Sequence, residues 1–251
     1  MHNFEGILLV ILMSGPLILL QRWLHHETQA VLLLLTRRSE IAVVLFSLLF
    51  LPGVFLHEAS HFIMARILGV RTGRFSILPS RLADGRLQLG FVETTSVDFV
   101  RDSLIGSAPL LVGGIFVGYA GLSRLGIPAL MNNAGGSVET WLSSLAALRT
   151  RPDFWLWFYL TFAVSSTMLP SASDRRAWLP LSLATILLVG VMLAAGAGPW
   201  LAVHLAEPLN QALRIIALVM GVALGIHLLM LIPVWLARMA LTRLTGLKVV
   251  G

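Results

Sequence analysis

The chain contains no cysteine, which excludes disulfide frameworks, thiolate-held zinc, iron–sulfur clusters and thiol nucleophiles together. Any metal must be held by His, Asp or Glu. Charge is scarce as well. Of 251 residues, 12% are charged and 57% hydrophobic, and the mean hydropathy is +0.87. So few charges cannot supply the polar surface of a soluble domain, so lipid is the expected solvent for most of the chain. Eighteen basic residues against 12 acidic ones give a net charge of +6. In a membrane protein such a surplus reports cytoplasmic loops, and it is not read as nucleic-acid binding.

A span needs about 20 mostly apolar residues to cross the hydrocarbon core. Six segments qualify, at approximately 4–20, 41–68, 104–125, 154–170, 177–197 and 212–236. The expected architecture is therefore an all-α polytopic membrane protein, a single integral domain over 1–251. The first segment has no basic leader and no small-residue cleavage site, so it reads as a retained helix. Val31 to Leu35, closed by Arg37-Arg38, is too short to span and reads as interfacial. Six spans put both termini on one side, together with the 70–103 and 171–176 loops. That side holds 11 of the 18 Lys and Arg residues, so both termini are expected to be cytoplasmic.

The 71–100 stretch lacks helical periodicity. Arg74 to Leu78 and Arg86 to Val92 flank Ala83-Asp84-Gly85, and Asp-Gly between alternating apolar positions signals a β-hairpin. A small cytoplasmic sheet is expected between the second and third spans. In the third span, Gly114 and Gly118 have the small-xxx-small spacing of closely packed helices.

Chemistry enters the second span at Leu56-His57-Glu58-Ala59-Ser60-His61-Phe62. Ionisable groups at membrane depth are expensive and mark functional sites by default. Positions i and i+4 share a helix face, so His57 and His61 can direct two imidazoles at one metal ion, with Glu58 beside it as general base. This is the His-Glu-x-x-His pattern of zinc metalloproteases, arising by chance in roughly one chain of this composition in 200. Zinc suits imidazole and lowers the pKa of its bound water to about 7. A polar cluster without metal is the other reading.

A catalytic zinc takes three protein ligands. His57 and His61 lie about 16 Å and about 10 Å from the helix end at Leu68. Of the acidic residues outside that helix, Asp174 alone stands at the cytoplasmic end of a span beside a helix break, in Leu169-Pro170-Ser171-Ala172-Ser173-Asp174. It is the candidate third ligand; an ion pair with Arg175 or Arg176 is the alternative. Asp84, Asp98, Asp102 and Glu93 read as solvated charges, and His227 as a histidine bonded to a neighbouring helix.

These residues resemble the site-2 protease family of intramembrane zinc metalloproteases. The first motif and its exit through Ala65-Arg66-Ile67-Leu68-Gly69-Val70 carry the resemblance, with Gly106-Ser107-Ala108-Pro109-Leu110 opening the next helix; it covers about half the chain. The resemblance implies a six-helix core, peptide-bond hydrolysis within the membrane, and one Zn2+ held by His57, His61 and Asp174 with Glu58 as base. Its partner would be a membrane-protein substrate. The second motif differs from the family pattern: Thr167 stands in the Asn place, Asp174 is four residues after Pro170, and Ser173-Asp174-Arg175 replaces Leu-Asp-Gly. An inactive relative that binds a membrane partner is a second reading, and a proton-coupled transporter a third. An exposed edge in Arg74 to Leu78 or Leu87 to Val92 could pair with an unwound substrate segment; a hairpin that only covers the cytoplasmic mouth is the other reading.

Overall fold

The computed structural model describes residues 5–81, 87–133 and 135–247. It is an all-α membrane architecture with a small antiparallel sheet. In chain order the helices are α1 (Glu5–Thr36), α2 (Ser39–Ile67), α3 (Phe99–Tyr119), α4 (Ile127–Asn132), α5 (Val138–Leu148), α6 (Phe154–Ser165), α7 (Trp178–Ala194), α8 (Gly198–His204) and α9 (Ala206–Thr245). A π-helical turn, Ala120–Arg124, extends α3. Four strands lie between α2 and α3: β1 (Thr72–Ser76), β2 (Ser80–Arg81), β3 (Leu87–Gln88) and β4 (Phe91–Thr94).

The expected spans fall on α1, α2, α3, α6, α7 and α9. Of the described helices, α1, α2, extended α3 and α9 are each long and apolar enough to cross a membrane. A fifth crossing is possible if α7 and α8, bent by 117° at their junction, count as one. α6 has 12 residues, or about 18 Å at 1.5 Å per residue, too short to cross alone. The apolar exteriors of these helices, with Leu8, Ile115, Ile186 and Ile232 all exposed, present the surface that lipid covers.

Val31 to Leu35 is not a separate interfacial piece. It forms the last turns of the 32-residue α1, because no Pro or Gly interrupts Gln21 to Thr36. The helix ends where Arg37 takes φ 54°, in the left-handed region. The chain then reverses, and His25 of α1 meets Phe46 and Phe50 of α2 at ring separations of 5.6 and 4.9 Å.

Contacts between helices give their relative directions. The Gly6 amide donates to Asn210 Oδ1 at 2.8 Å, Arg214 pairs with Glu5, and Arg238 pairs with Glu27. Both sequence numbers rise together, so α1 and α9 lie side by side and parallel. Six crossings would make them antiparallel. Tyr159 donates to the Leu49 carbonyl at 3.0 Å, and Thr167 lies beside His57, so α6 likewise runs parallel to α2. It heads for the end from which α9 starts. Glu5 and Thr245 therefore sit at opposite ends of the α1–α9 pair.

The core joins Leu17 and Leu24 of α1, Phe46, Phe50 and Val54 of α2, Phe162 of α6 and Ile226 of α9. Gly114 and Gly118 of α3 face Val219 of α9, but a Cβ at either would meet it only at ordinary van der Waals distance, 3.9 and 3.4 Å. β1 pairs antiparallel with β4 (Thr72↔Thr94, Ser76↔Phe91), and β2 with β3, giving the expected sheet. Its Ala83-Asp84-Gly85 turn lies outside the described residues. Asp98 caps α3, its carboxylate accepting from the Val100 and Arg101 amides at 3.1 and 3.0 Å.

Candidate metal centre

His57, Glu58 and His61 occupy the last third of α2. Asp174 lies in the 166–177 break between α6 and α7. The break is written into the sequence. Pro170 has no N–H to continue the helix, and the Ser171 amide, which would have bonded Thr167, donates to Asp174 Oδ2 at 2.7 Å. One displacement thus holds the carboxylate and frees the Thr167 carbonyl.

That carbonyl accepts the Nδ1–H of His57 at 2.6 Å. His61 Nδ1 donates to the Ile105 carbonyl on α3 at 2.8 Å. A main-chain carbonyl can only accept, so each imidazole carries a proton on Nδ1, assigned here from the partners, and turns its Nε2 toward Asp174. The two Nε2 atoms face each other at 3.2 Å. Asp174 Oδ1 lies 3.3 Å from His61 Nε2, and Oδ2 3.7 Å from His57 Nε2. Two imidazole Nε2 atoms and a carboxylate thus converge on one partly buried point, which a shared cation would stabilise.

His57, His61 and Asp174 form a group that could hold a metal ion, with ligand atoms all within 4.8 Å of one another. A tetrahedral ion with bonds of about 2.0–2.1 Å sets its ligands about 3.3 Å apart, which the observed separations approach. Main-chain acceptors on Nδ1 are the usual outer partners of metal-bound histidines. The residues present fit such an ion.

Glu58, one position beyond His57, is buried at 8% exposure. It lines the same cleft as the three candidate ligands, together with residues of β4, Asp102 of α3 and Pro180 of α7. The cleft measures about 1230 Å³, above the ~300–1,000 Å³ of a small-molecule pocket. Glycine at 90 is required where the sheet seats on α2: a Cβ there would lie 2.9 Å from both Glu58 Cγ and Val54 Cγ1, and 3.0 Å from the Ser76 carbonyl oxygen. The sheet thus fixes the stem of Glu58.

Thr167 lines the cleft, but its hydroxyl donates back to the carbonyls of Ala163 and Val164 at 3.1 and 3.2 Å. It offers the cleft no free donor. Glu93 pairs with Arg74 at 2.7 Å and Asp102 accepts from Ser96 at 2.9 Å, away from the metal group. His227 bonds Ser166 across helices at 3.0 Å, as expected of a lone span histidine. His25 lines the inner cleft, its Nε2 without a partner among the described residues. The carbonyl acceptors of Thr167 and Ile105 are main-chain groups with no sequence signature. No family model matches the chain, and neither does any curated protein or solved structure.

Proposed function

We propose that this protein is an intramembrane zinc metallopeptidase that hydrolyses peptide bonds in or near transmembrane segments of other membrane proteins. The observation that carries the reading is the pair of Nδ1 bonds to main-chain carbonyls, which leaves both Nε2 atoms facing Asp174. Two imidazoles and one carboxylate suit zinc, with the remaining position open to water or substrate. When bound, zinc supplies Lewis-acid polarisation of a substrate carbonyl and acidifies water.

The chain's own residues do the rest. Thr167 and Ile105 hold the two imidazoles in their tautomers. Ser171 aims the Asp174 carboxylate. Glu58, on the same helix end, takes the proton from the attacking water and returns it to the leaving amine. The cleft's volume, about 1230 Å³, leaves room for a peptide segment, and the β4 edge beside it offers main-chain partners to an unwound segment.

The same hydrogen bonds argue against a proton relay. Each Nδ1–H ends on a main-chain carbonyl, which cannot pass a proton onward. The test is metal analysis of the detergent-purified chain and of His57→Ala and Asp174→Ala. Stoichiometric zinc in the wild type, lost from both variants, is expected. A wild type without zinc would overturn the reading. A Glu58→Gln variant should keep zinc and lose cleavage.

A further inference from the structure

Two residues on helices that carry no candidate ligand reach the metal group through one serine. Pro170 lacks the N–H that would have bonded the Ser166 carbonyl four residues earlier, leaving that carbonyl at the end of α6 without a helical partner. Gln21 of α1 supplies the missing donor through Nε2. On the other side, His227 of α9 is fully buried. Its Nδ1–H donates to the Ala223 carbonyl at 2.8 Å, so its Nε2 accepts from the Ser166 hydroxyl at 3.0 Å. Ser166 is itself 1% exposed. It is clamped between α1 and α9 by its carbonyl and its side chain, and the next carbonyl in the chain, that of Thr167, is the one that orients His57.

We infer that Gln21 and His227 are positioning residues for the metal group, acting on His57 through Ser166 and the Thr167 carbonyl. Both polar groups lie within apolar helices, where an unpaired side chain has a cost, and both converge on the same residue of the α6 break. If the clamp is removed, Ser166 and Thr167 gain freedom. The His57 ring then loses its fixed acceptor, with both tautomer and ring orientation affected. Outer partners of this kind typically contribute 10–100-fold in metal affinity.

The inference rests on the metal-site reading above, and its test separates the two. Zinc affinity is measured by chelator competition on the full-length protein in detergent, for wild type, His227→Leu, Gln21→Met, His227→Gln and Glu5→Gln. The leucine and methionine variants, acting one residue beyond the direct partner of His57, should bind zinc about 10-fold more weakly, the low end of the range for direct outer partners. His227→Gln, which can still accept from Ser166, should recover most of the loss. Glu5→Gln breaks the Arg214 pair between the same two helices and should leave affinity unchanged, because general loosening of α1 and α9 is not the cause. If His227→Leu and Gln21→Met fold and bind zinc like the wild type, or if Glu5→Gln loses as much, the inference is overturned while the metal site stands. A wild type that binds no zinc removes both.

Discussion

Gly106 of α3 lies against the main chain of Asp174: a methyl group at 106 would overlap the Asp174 carbonyl oxygen and stand 2.9 Å from its carbonyl carbon. The obstacle is backbone, which cannot turn aside as a side chain can. Gly106→Ala should therefore push the Ser171–Asp174 turn away from His57 and His61. Overpacking of this kind costs about 1–3 kcal/mol, and the displaced carboxylate should weaken zinc binding. Gly225→Ala is the control, since nothing lies within 4 Å of that position. Metal titration and thermal unfolding of the two variants check this; equal affinities would mean that the turn tolerates the shift.

Gly90 supports a different member of the site. A Cβ there meets the Glu58 stem, Val54 and the Ser76 carbonyl oxygen, so Gly90→Val should move Glu58 or lift the sheet without touching a ligand. Zinc content is expected to remain stoichiometric while cleavage of a transmembrane reporter falls by about 10²-fold or more, the usual contribution of a positioned general base. Loss of zinc together with cleavage would show that the sheet supports the metal group as a whole.

Glu27 is 3% exposed and shares Oε1 between Arg238 and Trp23, while Oε2 has no partner among the described residues. Removing Arg238 leaves the buried carboxylate with the Trp23 indole and, at 3.9 Å, the His26 ring but no guanidinium, at a cost of up to about 3–5 kcal/mol. Arg238→Met should therefore unfold at markedly lower denaturant, and Glu27→Gln combined with Arg238→Met should recover part of the loss. Both variants are compared by denaturation in the same detergent.

The Arg74–Glu93 pair is exposed, and its energetic value is small. The hydrogen bonds from Arg74 hold the Glu93 carboxyl below its ordinary pKa. A depressed acid contributes stability above its unfolded pKa and loses it as pH falls through the folded value. The pairing of β1 with β4 should thus weaken only at acidic pH, below the ordinary glutamate range. Carboxyl NMR should place the Glu93 midpoint below that range in the wild type and return it there in Arg74→Ala.

The site was more legible in the sequence than the topology. His57, Glu58 and His61 stand out because helical spacing and apolar surroundings are both visible in one dimension. Asp174 could be singled out because Pro170 and Ser171 announce a break. The acceptors of Thr167 and Ile105 could not be, since every residue carries a carbonyl. Gln21 and His227 had a signal, polarity within a span, but no indication of a common target. Hydropathy also locates apolar runs without saying how many times the chain crosses. The 154–170 and 177–197 runs each meet the composition of a span, yet α6 is short and α7 turns through a sharp bend into α8.

Direction is the part of the fold most open to a decisive measurement, and the absence of cysteine makes that measurement clean. With α1 parallel to α9, the α1–α2 turn and Gly246-Leu247 share one face, and the chain entering β1 lies on the other. Arg37→Cys and Leu247→Cys should therefore react with a membrane-impermeant maleimide from the same side of sealed vesicles, and Arg71→Cys from the opposite side. Six crossings would instead put positions 37 and 247 on opposite sides, with 247 joining 71. That result would break the α1–α9 pairing on which the Glu5–Arg214 and Glu27–Arg238 contacts depend. With it would go the clamp that brings Gln21 and His227 to Ser166.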